Sequence, residues 1–138
     1  EAHFSWDNNI EYVYLNFYLY DGTYRYNGVI RLKPGNPCVV EYMDSSGTYQ
    51  ALTVSYNLGE SSTIQPWIPI KLVADYITGA FSRLSIGPNN WDLVGKTMYK
   101  ASAVTDQPRI EIVLQITGDA GTNAVTYIDD AIVTQKEP

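Results

Sequence analysis

The chain has 138 residues, which fits a single domain over 1–138, and its formal net charge is −6. Its nine Lys and Arg residues are scattered, so the sequence argues against the clustered positive charge that nucleic acid binding requires. The aromatic content of 13% and charged content of 17% exclude a disordered tail, and no apolar run approaches the roughly 20 residues of a membrane-spanning helix.

Segments that alternate with period two, separated by short turn-forming stretches, dominate the chain, and helical periodicity is almost absent. This pattern predicts an all-β domain, a sandwich or barrel of antiparallel strands. A short helical turn is expected near 74–79. The predicted strands are 10–20, 24–33, 38–44, 48–57, 66–74, 80–86, 91–103, 109–117 and 125–134.

The first predicted strand carries a ladder of tyrosines. One side of it reads Val13, Leu15, Phe17 and Leu19. The other side reads Tyr12, Tyr14, Asn16, Tyr18 and Tyr20. Successive side chains of a strand point to opposite faces, so the aliphatic side is the predicted core face. Four large rings give more apolar area than a plain solvent face needs, and the tyrosine side is therefore interpreted as a recognition surface.

The turn that follows decides how far this surface extends. Asp21-Gly22-Thr23 predicts a three-residue hairpin loop, which pairs Tyr20 with Tyr24 and brings Tyr26 into the same row. A β-bulge at Gly28 would then separate the tyrosines from the aliphatic residues of the second strand. Without that bulge, Tyr24 and Tyr26 share a face with the aliphatic residues and belong to the core.

Four further residues attract interest. Trp67 lies between two prolines, which suits either an exposed ring at a ligand site or an edge residue folded onto the core. Asp129 and Asp130 lie within a predicted strand, where aspartate is disfavoured, so a specific role is expected for them. The single cysteine, Cys38, excludes an internal disulfide and is interpreted as a small buried apolar residue.

A family likeness is carried by the C-terminal segments Trp91–Val94, Ala101–Ala103, Ile110–Gly118 and Tyr127–Val133, and by the earlier segment Ile30–Gly35. Together these resemble jelly-roll carbohydrate-binding modules of families four, nine and twenty-two. The resemblance covers about a third of the chain and implies an antiparallel β-sandwich of jelly-roll type with about nine strands. The opening stretch Glu1–Trp6 departs from the family pattern.

The resemblance also implies a site. In such modules one sheet face binds glycan, and a structural calcium ion is often held by the opening stretch and an aspartate that matches Asp129. Tyrosine suits a glycan because its ring stacks on apolar C–H faces and its hydroxyl bonds to sugar hydroxyls. The expected glycan-binding residues are Tyr12, Tyr14, Asn16, Tyr18 and Tyr20, flanked by Tyr24, Tyr26 and Trp67.

Catalysis is not expected. His3 is the only histidine and lies near the start of the chain, so the sequence offers no internal histidine for a nucleophile–histidine pair or a zinc cluster. Asp129 and Asp130 cannot act as a glycosidase pair, because neighbours on a strand point to opposite faces. The predicted function is non-catalytic glycan binding.

The alternative is a structural, decoration or adhesion subunit of a virion or cell-surface fibre. Such a subunit would use the tyrosine surface, or the arm 1–9 added to a neighbouring subunit's sheet, for contacts with copies of itself or with assembly neighbours. Both functions favour an extracellular, virion or cell-surface location, and the start at Glu1 without Met is consistent with removal of upstream sequence.

Overall fold

The computed structural model describes residues 1–6, 9–35, 38–52, 67–121 and 123–134, which form two antiparallel sheets packed face to face. The predicted antiparallel β-sandwich is confirmed, with eleven strands among these residues rather than the predicted nine or so. They are β1 Ala2–Trp6, β2 Ile10–Tyr20, β3 Tyr24–Lys33, β4 Val39–Met43, β5 Tyr49–Leu52, β6 Ile68–Asp75, β7 Ala80–Ile86, β8 Asn89–Asp92, β9 Tyr99–Ser102, β10 Arg109–Gly118 and β11 Thr126–Asp129. No helix in this part of the chain is long and apolar enough to cross a membrane.

The chain moves back and forth between the two sheets. The five-stranded sheet, here sheet I, has the order β11-β1-β6-β7-β8. The six-stranded sheet, here sheet II, has the order β10-β2-β3-β4-β5, and β9 pairs with the part of β3 that β4 leaves free. Sheet II therefore has β10 along one edge and β2 next to it.

The core lies between the sheets and is built by the alternation seen in the sequence. Sheet II contributes inward residues such as Val13, Ile30 and Leu32, each fully buried. Sheet I contributes Phe4 and Leu84, which are also fully buried. Burying such side chains stabilises the fold by about 1.5–3 kcal/mol each.

The first strand overturns the expectation of a free arm. β1 lies inside sheet I, paired with β6 on one side and β11 on the other, and Phe4 is opposite both Ile68 and Ile128. Ala2, Phe4 and Trp6 alternate with polar residues and point into the core. For the described residues 1–6, the prediction that the arm pairs with a neighbouring subunit is therefore wrong, because both edges of β1 are paired within the domain.

Three other boundaries differ from the prediction. The predicted strand 91–103 is two strands in different sheets, because a turn held by the Lys96 N–H donating to the Leu93 carbonyl redirects the chain. Instead of a helical turn near 74–79, residues 76–79 form the tight turn of the β6–β7 hairpin. The last strand ends at Asp129, and Asp130 has a left-handed backbone with φ 49°.

The turn between β4 and β5 makes one acid-sensitive contact. The carboxylate of Asp44 accepts hydrogen bonds from the Ser46 hydroxyl at 2.6 Å, from the Thr48 N–H at 3.0 Å and from the Gln50 amide at 2.8 Å. These bonds, that of Ser46 foremost, lower the pKa of Asp44 from 3.8 to about 2. Because the folded-state pKa is depressed, the stabilisation is present above about pH 4 and is lost as the pH falls towards about 2.

Replacing Asp44 by Asn is therefore expected to flatten the acid side of the stability curve. Wild type and Asp44→Asn should differ in free energy of unfolding near neutral pH, and the gap should narrow as the pH falls through this range. Urea titrations at several pH values measure the gap. Ser46→Ala keeps the carboxyl group of Asp44 but removes the hydroxyl that lowers its pKa most. This variant should therefore raise the NMR titration midpoint of Asp44. A wild-type midpoint near 4 would contradict the assignment.

Candidate ligand-binding face

The outward side of sheet II carries the tyrosine ladder, and we call it the tyrosine face. It centres on β2, whose other side sends Val13 and Leu15 into the core, as the alternation predicts. On one flank β10 aligns Glu111 with Tyr18 and Gln115 with Tyr14. Directly opposite residues of antiparallel strands share a face. The members contributed by β2 are Tyr12, Tyr14, Asn16, Tyr18 and Tyr20; those of β10 are Arg109, Glu111, Val113, Gln115 and Thr117; and those of β3 are Arg25, Asn27, Val29 and Arg31.

Tyr24 and Tyr26 are not on this face, which corrects the expected two-strand cluster. Tyr20 pairs with Arg25 rather than with Tyr24, and the register then continues without a shift through Gly28. The strand ends are as predicted, but the register is shifted by one residue, because the Asp21 N–H donates to the Tyr24 carbonyl and the Asp21 carboxylate accepts from the Tyr24 N–H. Asp21 rather than Tyr20 therefore lies opposite Tyr24. With no bulge at Gly28, Tyr24 and Tyr26 turn to the opposite side.

Gly28 instead makes room for a neighbouring ring. A Cβ there would lie 3.3 Å from the Tyr76 hydroxyl oxygen and 3.3 Å from the Phe17 carbonyl oxygen. Phe17 stacks on Tyr76 with ring centroids 4.9 Å apart. Burial raises the pKa of Tyr76 far above its usual range, so its hydroxyl stays protonated. The glycine that suggested a bulge therefore serves a packing contact between the sheets.

Some side chains of the tyrosine face are buried, and others are accessible to solvent. Asn16 and Tyr20 are only 4% and 6% exposed, and Val29 is 2% exposed although it points outward. The Tyr20 ring is covered by Arg109, whose guanidinium carbon is 3.8 Å from the ring centroid. The rings that remain partly exposed on β2 are Tyr12, Tyr14 and Tyr18. These three form the accessible row, here called the tyrosine row.

Arg31 anchors the centre of the tyrosine face. Its guanidinium carbon lies 3.6 Å from the Tyr49 ring centroid and 4.7 Å from the Tyr12 ring centroid, and its Nε donates to Glu41. Burial acts to lower the pKa of Arg31, but the bonds to Glu41 and Tyr14 raise it, and the net shift is upward. Arg31 therefore stays charged and holds the surrounding rings in fixed positions.

The hydroxyl groups of Tyr18 and Tyr49 are protonated at neutral pH. Burial is the main reason that the pKa of Tyr18 is raised, and burial also raises the pKa of Tyr49. A protonated tyrosine both donates and accepts hydrogen bonds. The tyrosine face thus offers ring faces and bifunctional hydroxyls side by side.

Most cations of the tyrosine face have partners. Arg31 pairs with Glu41, Arg109 lies 3.4 Å from Asp106 and 3.6 Å from Glu111, and the Arg25 Nε donates to Asn27 at 2.8 Å. The tyrosine face therefore holds three of the chain's four arginines, and two of them, Arg31 and Arg109, have carboxylate partners. This balance suits a neutral polar ligand better than a polyanion.

The remaining predicted residues lie on the other sheet. Trp67 is 50% exposed and directly precedes β6 of sheet I, so its sheet differs from that of the tyrosine row. Asp129 ends β11 opposite His3, and its Oδ1 accepts from the Asp130 N–H at 2.8 Å. Within the described ranges, no group of three or more His, Cys, Asp or Glu is placed to hold a metal ion. Calcium at Asp129 stays a prediction.

The sequence interpretation missed Arg31, Glu41 and Tyr49. The alternation gives the first two no role beyond their strands, and it favours Tyr49 as a core or rim residue. One signal could have found Arg31: with an uninterrupted β3, every second residue back from Lys33 falls on the same side as Tyr14. The approach of Tyr49 could not be found this way, because β5 is three strands away from β2.

Comparison with known proteins finds no relative of this chain. No family model, no curated protein and no solved structure matches the chain. Function is therefore inferred from the tyrosine face itself.

Proposed function

We propose that the protein binds a neutral glycan, without catalysis, through the tyrosine row. The observation that carries this proposal is the row itself: Tyr12, Tyr14 and Tyr18 lie on one strand, partly exposed and flanked by polar residues of two paired strands. The Tyr12 and Tyr14 rings have centroids 5.9 Å apart and planes tilted by 46°. They form a broken surface over which an extended chain of sugar rings could lie.

The chemistry of the neighbours fits the edges of a sugar. The exposed amide of Gln115 is next to Tyr14, and the carboxylate of Glu111 is next to Tyr18. Amide, carboxylate and phenol groups together both donate to and accept from sugar hydroxyls. Stacking on the rings fixes position, and the polar edge supplies selectivity.

The rigidity of the tyrosine face also supports binding. Arg31 holds Tyr12 and Tyr49, and the Arg25 guanidinium carbon lies 5.4 Å from the Tyr18 ring centroid. Side chains already held in place lose little conformational entropy when a ligand arrives. The non-catalytic assignment is supported by the location of His3, the chain's only histidine, on sheet I rather than on the tyrosine face.

Truncating the tyrosine row is the direct test. Tyr14→Ala and Tyr18→Ala should each weaken retention on a polysaccharide affinity gel at least about tenfold, because each removes one of the three stacking rings of the row. Candidate ligands are found first on a glycan array with the wild-type protein. Tyr24→Ala is the matched control, because this tyrosine is 38% exposed on the opposite side of the same sheet. Equal retention of all three variants would contradict the site.

A protein ligand is the second candidate, since Tyr and Arg are the residues enriched at interface hot spots. In this case the protein would be a structural or adhesion subunit of a virion or cell-surface fibre, and the tyrosine row would contact an assembly neighbour. The array then shows no glycan bound by the wild-type protein. The same Tyr14→Ala and Tyr18→Ala variants abolish concentration-dependent assembly measured by light scattering.

A further inference from the structure

β10 is a long strand with a free edge. It pairs along its whole length with β2, and no other described strand pairs with it. Between Arg109 and Thr117 the register is continuous, with its one irregularity at Thr117/Gly118. An edge strand of this kind exposes alternate N–H and C=O groups that another strand can pair with.

The side chains of β10 that point towards the core are incompletely covered. Ile110 is 56% exposed and Ile112 is 36% exposed, although they share a side with the buried aliphatic residues of β2. A cavity of about 110 Å³ lies against Ile112 and is also lined by Phe17, Leu72 and Leu114 among others. The C-terminal segment 131–134 also lines this cavity, but Ile110 and Ile112 keep exposed apolar surface along β10 that a partner could cover.

The edge has few of the features by which proteins keep such strands from pairing. From Ile110 to Ile116 there is no proline, no lysine and no bulge, the inward side carries only aliphatic residues, and Glu111 is the one charged residue. Natural edge strands are usually protected by one of these devices. Their scarcity over seven residues favours an edge that is used.

The sequence of β10 is complementary to itself about Val113. In an antiparallel pair of two copies centred there, Ile110 lies opposite Ile116 and Ile112 opposite Leu114 on the inward side. On the outward side Glu111 lies opposite Gln115, and Val113 opposite itself. No like charges oppose each other, and every inward pair is aliphatic. This complementarity fits a second copy of the chain as the partner.

We propose that two copies pair antiparallel through β10, with the two-fold axis at Val113, so that their six-stranded sheets become one continuous sheet. The pairing satisfies the free backbone groups of both edges. It also covers Ile110 and Ile112 of each copy with aliphatic residues of the other. The tyrosine faces of the two copies then lie on the same side of the joined sheet.

A charge change at Gln115 tests both the dimer and its register. Gln115 is exposed. In the proposed dimer, Gln115 of each copy lies opposite Glu111 of the other, so the pair occurs twice. Gln115→Glu should raise the dimer dissociation constant, measured by sedimentation equilibrium, between about twofold and thirtyfold. Gln115→Lys should lower it by a similar factor. A wild-type protein that stays monomeric at millimolar concentration overturns the proposal, as do variants that do not shift the constant or shift it in the reverse order.

Cross-linking tests the position of the axis. Val113→Cys places two thiols opposite each other with Cβ atoms about 4.5–5.5 Å apart, so a short bifunctional thiol reagent should join the copies quickly. Gln115→Cys is the control, since its two copies are four residues out of register and about 13 Å apart. The native Cys38 does not interfere, because it is 2% exposed and burial raises the pKa of its thiol to about 11. Equal cross-linking of the two variants overturns the register.

Discussion

Truncating Phe4 to alanine is expected to cost about 3–5 kcal/mol in free energy of unfolding. The Phe4 side chain is fully buried, and its strand lies between β6 and β11. A cavity at this position cannot close easily, because Ile68 and Ile128 are held by the sheet on either side. The loss is a large share of the roughly 5–15 kcal/mol that typically separates a folded domain from its unfolded state.

The measurement is urea unfolding of wild type and Phe4→Ala. The midpoint should fall, and the dependence on urea should keep its slope if the fold is unchanged. Ile77→Ala is the control, because that side chain is 94% exposed and its truncation should stay within about 0.5 kcal/mol. If Phe4→Ala behaved like the control, β1 would not be an internal strand and the sequence expectation of a free arm would return.

The strands that could be predicted are those whose alternation is long. β2, β3 and β7 begin and end where their patterns predict, and the buried Val13 and Leu15 lie on the predicted core side. β1 was missed although Ala2, Phe4 and Trp6 alternate with polar residues. Five residues carry a weak signal, and the strands that make β1 internal are far away in sequence, at Ile68–Asp75 and Thr126–Asp129.

The candidate site could be predicted on β2 but not on β3, and the reason is a single residue in a turn. The side-chain period of a strand is two, so a register shift of one residue reverses every residue of the following strand. The shift accompanies the contacts of Asp21: its N–H donates to the Tyr24 carbonyl, and its carboxylate accepts from the backbone N–H groups of both Thr23 and Tyr24. Arg25 and Arg31 consequently replace Tyr24 and Tyr26 on the tyrosine face.

This exchange changes the character of the tyrosine face. Two extra tyrosines would have made it a more apolar stacking surface. With Arg25 and Arg31 in their place, guanidinium groups lie over part of the ring area, most closely where Arg31 approaches Tyr49. Under the proposed function, the tyrosine row would supply the stacking surface, and the polar residues beside it would supply the selectivity.

Replacing Gly79 by alanine is expected to cost about 2–4 kcal/mol in free energy of unfolding. Gly79 has φ +68°, a left-handed conformation that a Cβ disfavours. A Cβ there would also lie 2.9 Å from the Cδ1 and Cε1 atoms of the Tyr26 ring. The backbone cannot move away freely, because the Gly79 carbonyl accepts from the Met98 N–H at 2.8 Å.

Gly95→Ala separates the two causes, because Gly95 has φ +85° and a Cβ added there would meet no atom within 4 Å. It should cost only the conformational strain, about 1–2 kcal/mol. Urea unfolding of both variants gives the difference, which measures how firmly Tyr26 is packed against Gly79. A clear excess for Gly79→Ala places Tyr26 among the packing residues. Equal costs would mean that the Tyr26 ring yields readily and that its contact with Gly79 contributes little to stability.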